Sequence, residues 1–156
     1  MDAIDLKAIA ALQKKGRASW ATLGAALGMT GPAAAERVHK LEADGVIRGY
    51  AALVDPYAVG ATVTAYIAVT LDRPGSRVRF LRRVGRLREI QECHHVSGDD
   101  DYFLKVRCAD TDDLDRVLTD ELKAVPGVVR TRTTIVLRTL KESVVVPLQH
   151  DGKDAR

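Results

Sequence analysis

Apolar positions in the first 44 residues recur at helical spacing. Leu6, Ile9 and Leu12, with Ala8 and Ala11 between them, predict a helix of about 12 residues that stops at Gly16 after Lys14-Lys15. Ser19 opens a short apolar helix carrying Ala21, Leu23, Ala25, Ala26 and Leu27, and Gly28 closes it. Thr30 follows that glycine, Pro32 suits the first turn of a third helix, and Val38 and Leu41 form its inner face as far as Asp44-Gly45. The turn Gly28-Met29-Thr30-Gly31 between the second and third helices fits a helix-turn-helix, whose following helix can enter a major groove. On pattern alone, a plain three-helix bundle fits equally well.

After Gly45 the period changes to two. Val46 to Val54 reads as a strand ended by Asp55-Pro56, whose edge could pair with a second copy of the chain or simply pad the helical domain. From Thr62 the pattern predicts a strand (Val63 to Leu71), a turn, a helix (Val78 to Leu87) and a strand (Ile90 to Val96). It continues with a turn (Gly98 to Asp101), a strand (Tyr102 to Cys108), a helix (Asp112 to Val125) with Thr111 as its cap, a Pro126-Gly127 break and a strand (Val128 to Leu137). The order βαββαβ is that of the ferredoxin-like fold, an antiparallel sheet with two helices on one face. The expected class is therefore α+β: a helix-turn-helix domain over 1–47, a linker strand over 48–60, a ferredoxin-like domain over 61–142 and a tail over 143–156.

Charge changes this picture little. Residues 1–50 hold seven bases and five acids, and residues 51–142 hold fifteen bases and fourteen acids, within a total of +3. A weakly positive N-terminal domain permits phosphate contacts without by itself predicting nucleic-acid binding. No stretch approaches the roughly 20 apolar residues of a membrane helix. The start, Met1-Asp2-Ala3-Ile4-Asp5, has no basic region before an apolar run, so a cytoplasmic location is expected. Cys93 and Cys108 lack the CxxC spacing of a zinc or redox site.

Several blocks stand in order along the chain: Leu12-Gln13 with Gly16-Arg17-Ala18-Ser19, Arg37-Val38 with Lys40-Leu41-Glu42, Gly45 to Tyr50 running to Val54-Asp55-Pro56, and Glu92 to Asp99. Asp101-Tyr102, Leu104-Lys105-Val106, Pro126-Gly127-Val128, Thr131, Thr133 and Ile135-Val136-Leu137 follow. Together they resemble the leucine-responsive regulatory protein/asparagine-activator family of transcription regulators. The resemblance implies a winged-type helix-turn-helix followed by a sensor domain that dimerises through its sheet and associates further. It also implies an amino acid or related small molecule bound between subunits near the turn Ser97-Gly98-Asp99-Asp100-Asp101. The expected DNA-binding residues are Ser19, Thr30, Gly31, Pro32, Ala34, Glu36, Arg37 and Lys40; the expected effector-binding residues are Ser97 to Asp101 with Tyr102 and Thr133. No cofactor is expected beyond that effector.

Two departures from the family pattern bear on function. An acid, Asp100, stands where relatives usually carry an aromatic residue, and three successive acids should repel an effector carboxylate or favour a basic effector. The third helix begins Gly31-Pro32-Ala33-Ala34-Ala35-Glu36, leaving Arg37, His39 and Lys40 as its obvious donors. Few base contacts and more dependence on DNA shape and backbone are therefore expected.

Other chemistry is sparse. His94 and His95 are adjacent on a strand and point to opposite faces, so they cannot share a metal. No nucleophile-base set or phosphate loop appears, and an enzyme is not expected, although some relatives of this architecture decarboxylate sirohaem and could recruit such a histidine. A DNA-coating architectural protein is the other alternative. Arg77, Arg79, Arg82, Arg83, Arg86 and Arg88 form the most basic segment, read either as a solvated or intersubunit face or as a surface for wrapped DNA.

Overall fold

Three helices, α1 (Ala3–Lys14), α2 (Trp20–Leu27) and α3 (Gly31–Ala43), precede a four-stranded sheet in the computed structural model, which describes residues 1–148. The chain divides into two compact units. One holds Met1–Ala52, joined by the described residues from Glu142 on; the other is Leu53–Lys141.

Each helix of the first unit starts where a side-chain oxygen takes up an otherwise orphaned backbone N–H. Asp2 and Asp5 form a reciprocal capping box on α1, Ser19 Oγ accepts from Thr22 N, and Thr30 Oγ1 accepts from Ala33 N. Leu23, Ala34 and Val38 are buried together against Leu12, Leu27, Met29 and Ile47. The C-terminal segment returns to this unit: Val146 N donates to Gln13 Oε1 at 2.6 Å, and Gln13 Nε2 donates to Val146 O at 3.2 Å. Val146, within the described part of the expected tail, is thus bonded to α1, and residues 149–156 of that tail lie outside the described residues.

In the second unit β1 (Val63–Leu71) leads through a short 3-10 turn to α4 (Arg77–Val84), β2 (Ile90–His95) and β3 (Tyr102–Cys108). Then α5 (Thr111–Arg116) runs directly into a wider-wound π segment, Val117–Lys123, before β4 (Val128–Ile135). The strands are ordered β2-β3-β1-β4 and pair antiparallel throughout, as the ferredoxin-like order requires. Alternation explains the core. Ala65, Ile67 and Val69 of β1 and Tyr102, Leu104, Val106 and Cys108 of β3 point to one face and are covered by Phe80, Leu114, Val117 and Leu122. The opposite face carries Tyr66, Thr70, Phe103, Arg130 and Arg132, with Tyr66 stacked on Phe103 at 5.6 Å.

Three expectations are corrected. No strand forms over residues 46–54: a strand needs a ladder partner, and among the described residues none pairs there. Leu53 and Val54 stay exposed, while Tyr50 folds back so that its hydroxyl donates to Glu42 at 2.8 Å. The cap of α5 is Asp110, whose carboxylate accepts from Asp113 N, and Thr111 is the first helical residue. Helix α4 ends at Val84, because Arg86 and Leu87 bond three residues back and tighten into turns.

Candidate functional site

The close approach of α3 to α2 depends on one residue. A Cβ at Gly24 would lie 2.7 Å from Met29 O and 2.9 Å from Gly31 N, so the turn can close over α2 only where the side chain is hydrogen. Gly28 supplies the left-handed exit, with φ 71°. The sequence reading singled out Gly28 and passed over Gly24, whose signal, a glycine inside a short apolar helix four residues before its cap, is the usual mark of a close backbone contact.

Once α3 is seated, its faces separate. Ala34, Val38 and Leu41 are buried inward, while Pro32, Ala33, Glu36, His39 and Lys40 form an exposed stripe at three- and four-residue spacing. Two expected DNA-binding residues leave that stripe. Ala34 is fully buried and cannot reach a groove. Arg37 is drawn to α1, its Nη1 lying 2.7 Å from Asp2 Oδ2 and 2.6 Å from Asp5 Oδ1. The mutual backbone hydrogen bonds of the capping box, and then Arg37, hold both carboxyls below their ordinary range. Ser19 and Thr30 spend their hydroxyls on capping, and Gly31 packs against the Trp20–Ala21 backbone. Trp20 meets His39 edge to face at 5.5 Å, a packing role that orients the histidine at the edge of the stripe.

The second candidate site is the turn between β2 and β3. Val96 N bonds to Asp101 O, and Gly98 takes φ 126°, which only glycine holds without strain. The three acids have separate fates. Asp101 Oδ2 accepts from Leu71 N at 2.7 Å and pins the turn to β1. Asp100, almost buried, accepts from Thr70 Oγ1 at 3.0 Å, Arg130 Nη2 at 3.2 Å and Arg132 Nη2 at 2.6 Å. Arg130 also donates to the Asp99 carbonyl at 3.0 Å. Asp99 is therefore the acid of this trio whose carboxylate has no partner among the described residues. Two guanidiniums partly offset the three acids and leave about one net negative charge across the five groups. The sequence reading missed both arginines because the register of β4 on β1, which sets them beside Thr70 and Ala68, is a tertiary fact.

Tyr102 and Thr133 do not join this cluster. Tyr102 is buried on the helix-covered face against Phe80 at 4.9 Å, with His95 at 5.3 Å. Thr133 pairs with Ile67 on that same face, whereas its neighbour Arg132 is turned to the other side with Asp100. Ser97 and Gly98 remain exposed at the tip. The histidines are split as expected: His94 Nε2 lies 3.2 Å from Glu92, and His95 rests on Tyr102. Among the described residues no group of three or more His, Cys, Asp or Glu could hold a metal. Burial, with Asp113 and Glu89 adding to it, pushes the Cys108 thiol up to about 12.

Known proteins share both halves of this arrangement. Residues 1–42 match the AsnC-type helix-turn-helix domain, and residues 64–146 match the Lrp/AsnC ligand binding domain. The leucine-responsive regulatory protein of Escherichia coli is 40% identical over 145 residues, spanning 92% of this chain and 88% of its own. A transcriptional regulator of Neisseria meningitidis, solved as a complex with L-Met, superposes with a TM-score of 0.91 at 28% identity over 96% of this chain and 98% of its own. The feast or famine regulatory protein of Mycobacterium tuberculosis, complexed with L-methionine, does so with a TM-score of 0.86 at 32% identity over 93% and 97%.

Proposed function

The chain belongs to the Lrp/AsnC family of transcription regulators, and from that premise we propose that an amino acid, bound beside the turn 97–101 at an interface between copies of the chain, sets how it engages DNA. DNA binding itself is the work of the helix-turn-helix unit. The observation that carries the proposal is the pairing at the turn: Arg130 and Arg132 beside the unpartnered Asp99 carboxylate supply both charges that an amino acid's carboxylate and ammonium need. A free amino acid such as the L-methionine of the two relatives matches this chemistry better than the basic effector that three acids alone would select.

Oligomerisation follows from the sheet. The face bearing Tyr66 and Phe103 lies away from the unit's own helices, and Phe103 stays 40% exposed. A second copy covering that face would bring the Asp100 cluster into the interface, where ligand and assembly are thermodynamically linked. Within the exposed stripe, Glu36, His39 and Lys40 are the base- and backbone-directed groups, and the cytoplasm, where the DNA is, is the place of action.

The test is binding of the purified protein to genomic fragments at physiological salt, with excess nonspecific competitor and a panel of amino acids. Competitor-resistant sites whose occupancy shifts with one amino acid are expected. Uniform, salt-sensitive coating that no amino acid changes would refute effector control and indicate an architectural protein.

A further inference from the structure

Residues 77–88 hold six arginines and no acid. Local helix energetics disfavour this placement. Arg77 and Arg79 sit in the first turn of α4, where the positive end of the helix dipole repels cations. Arg79 and Arg83 are like charges four residues apart within α4, which destabilise a helix, and Arg86 and Arg88 add two more just past its end. A face that needed only hydration would be served by mixed charges.

Little inside the molecule relieves the charge. Phe80 and Val84 turn into the core and leave Arg79, Arg82, Arg83 and Arg86 along a shallow groove that also meets Asp120 and Glu121. Glu121 is taken by Arg83 and Arg116, and Glu89 by Arg116. Arg79 reaches only a carbonyl, Pro126 O, at 3.4 Å. Among the described residues no carboxylate lies within ion-pair distance of Arg77, Arg79, Arg82, Arg86 or Arg88.

We propose that this arginine face is a second DNA-contact surface, which takes the sugar-phosphate backbone of the duplex irrespective of sequence. Guanidinium forks suit phosphate oxygens, and a row of them matches a polyanion better than one small anion. The inference rests on the chain's being a DNA-binding regulator. It also supplies what α3 lacks, because that helix exposes a single full positive charge, Lys40, beside Glu36, while most DNA affinity comes from phosphate neutralisation.

The experiment compares the full chain with the combined variant Arg77→Gln, Arg82→Gln, Arg86→Gln, Arg88→Gln, whose substitutions remove repulsion and touch no core residue. Affinities for a nonspecific duplex and for a fragment selected by the wild type are measured from 50 to 200 mM salt. The slope of log K against log salt is expected to become shallower by about 2 to 4, since each phosphate contact contributes about 0.9. Discrimination between the two duplexes is expected to stay, and the four corresponding lysine substitutions should restore most of the slope. An unchanged slope overturns the proposal, as does an unchanged slope with altered sedimentation, which would show the arginines pairing with acids of another copy. Failure of the wild type to discriminate between duplexes would instead sink the regulator reading, independently of the slope.

Discussion

Helices α3 and α4 each bury one face and leave the other exposed, yet they present opposite surfaces. The outer stripe of α3 is Pro32, Ala33, Glu36, His39 and Lys40, nearly neutral and low in donors; that of α4 is arginine with no acid. The first suits a groove, where small side chains permit close approach; the second suits phosphates, which need charge and no discrimination. On the proposal above, specificity would rest on the first unit and much of the phosphate affinity on the second.

The strongest way to break that division is to remove the first unit's geometry while leaving the second intact. Gly24→Ala sets a methyl 2.7 Å from Met29 O, backbone that cannot swing aside. We expect about 3 kcal/mol of destabilisation, the upper range for overpacking. Trp20, the only tryptophan, lies in α2 and reports on this unit alone. Its fluorescence midpoint in urea should fall and selective DNA binding should vanish, while salt-sensitive nonspecific binding by the sheet unit persists. Loss of both kinds of binding together would show that α4 contributes none of its own.

A smaller effect is expected at the turn. Asp100→Ala removes the acceptor shared by Thr70, Arg130 and Arg132. Because both arginines are largely hydrated, the cost should be about 1 kcal/mol, closer to a surface pair than to a buried one. Thermal unfolding followed by circular dichroism measures it. The freed guanidiniums should bind an effector carboxylate more tightly by calorimetry; weaker binding would mean that the Asp100 carboxylate itself holds the ligand.

Most of the architecture was legible in the sequence, since alternation in β1 and β3 and the spacing of Leu114, Val117 and Leu122 fix which face is inward. The site was less so, for reasons that differ by residue. Arg37 resembles a reading-helix donor by its position, but the capping-box acids of α1 lie 32 and 35 residues away in sequence and claim it. Ala34 is one residue from an exposed neighbour, and helical phase at that precision depends on how α3 seats on Gly24. The linker 46–54 reads like a strand because it is apolar at most of its places, but pairing is a property of two segments, and among the described residues no second one pairs with it.

Arg37 gives a gentler test. Replacing it with Ala should leave discrimination between duplexes unchanged, because its guanidinium faces α1, and should slightly lower the Trp20-monitored midpoint at neutral pH. The folded carboxyls of Asp2 and Asp5 are depressed, so their stabilisation is fully present above the ordinary aspartate value of about 3.8 and is lost as pH falls through the lower folded values. In Arg37→Ala that acid-dependent part should shrink, the capping-box share remaining. A loss of duplex discrimination would return Arg37 to the DNA.

The smallest effect belongs to Lys40, and it calibrates the comparison with α4. Lys40→Gln removes the one full positive charge of the α3 stripe, so the salt slope should become shallower by about 1, uniformly across sequences, if the lysine meets a phosphate. A change in duplex preference with no change in slope would move Lys40 from the backbone to a base edge, most simply guanine. A fall as large as that produced by the four arginine substitutions would erase the proposed division, because a single α3 side chain would then carry as much of the electrostatic binding as the whole α4 face.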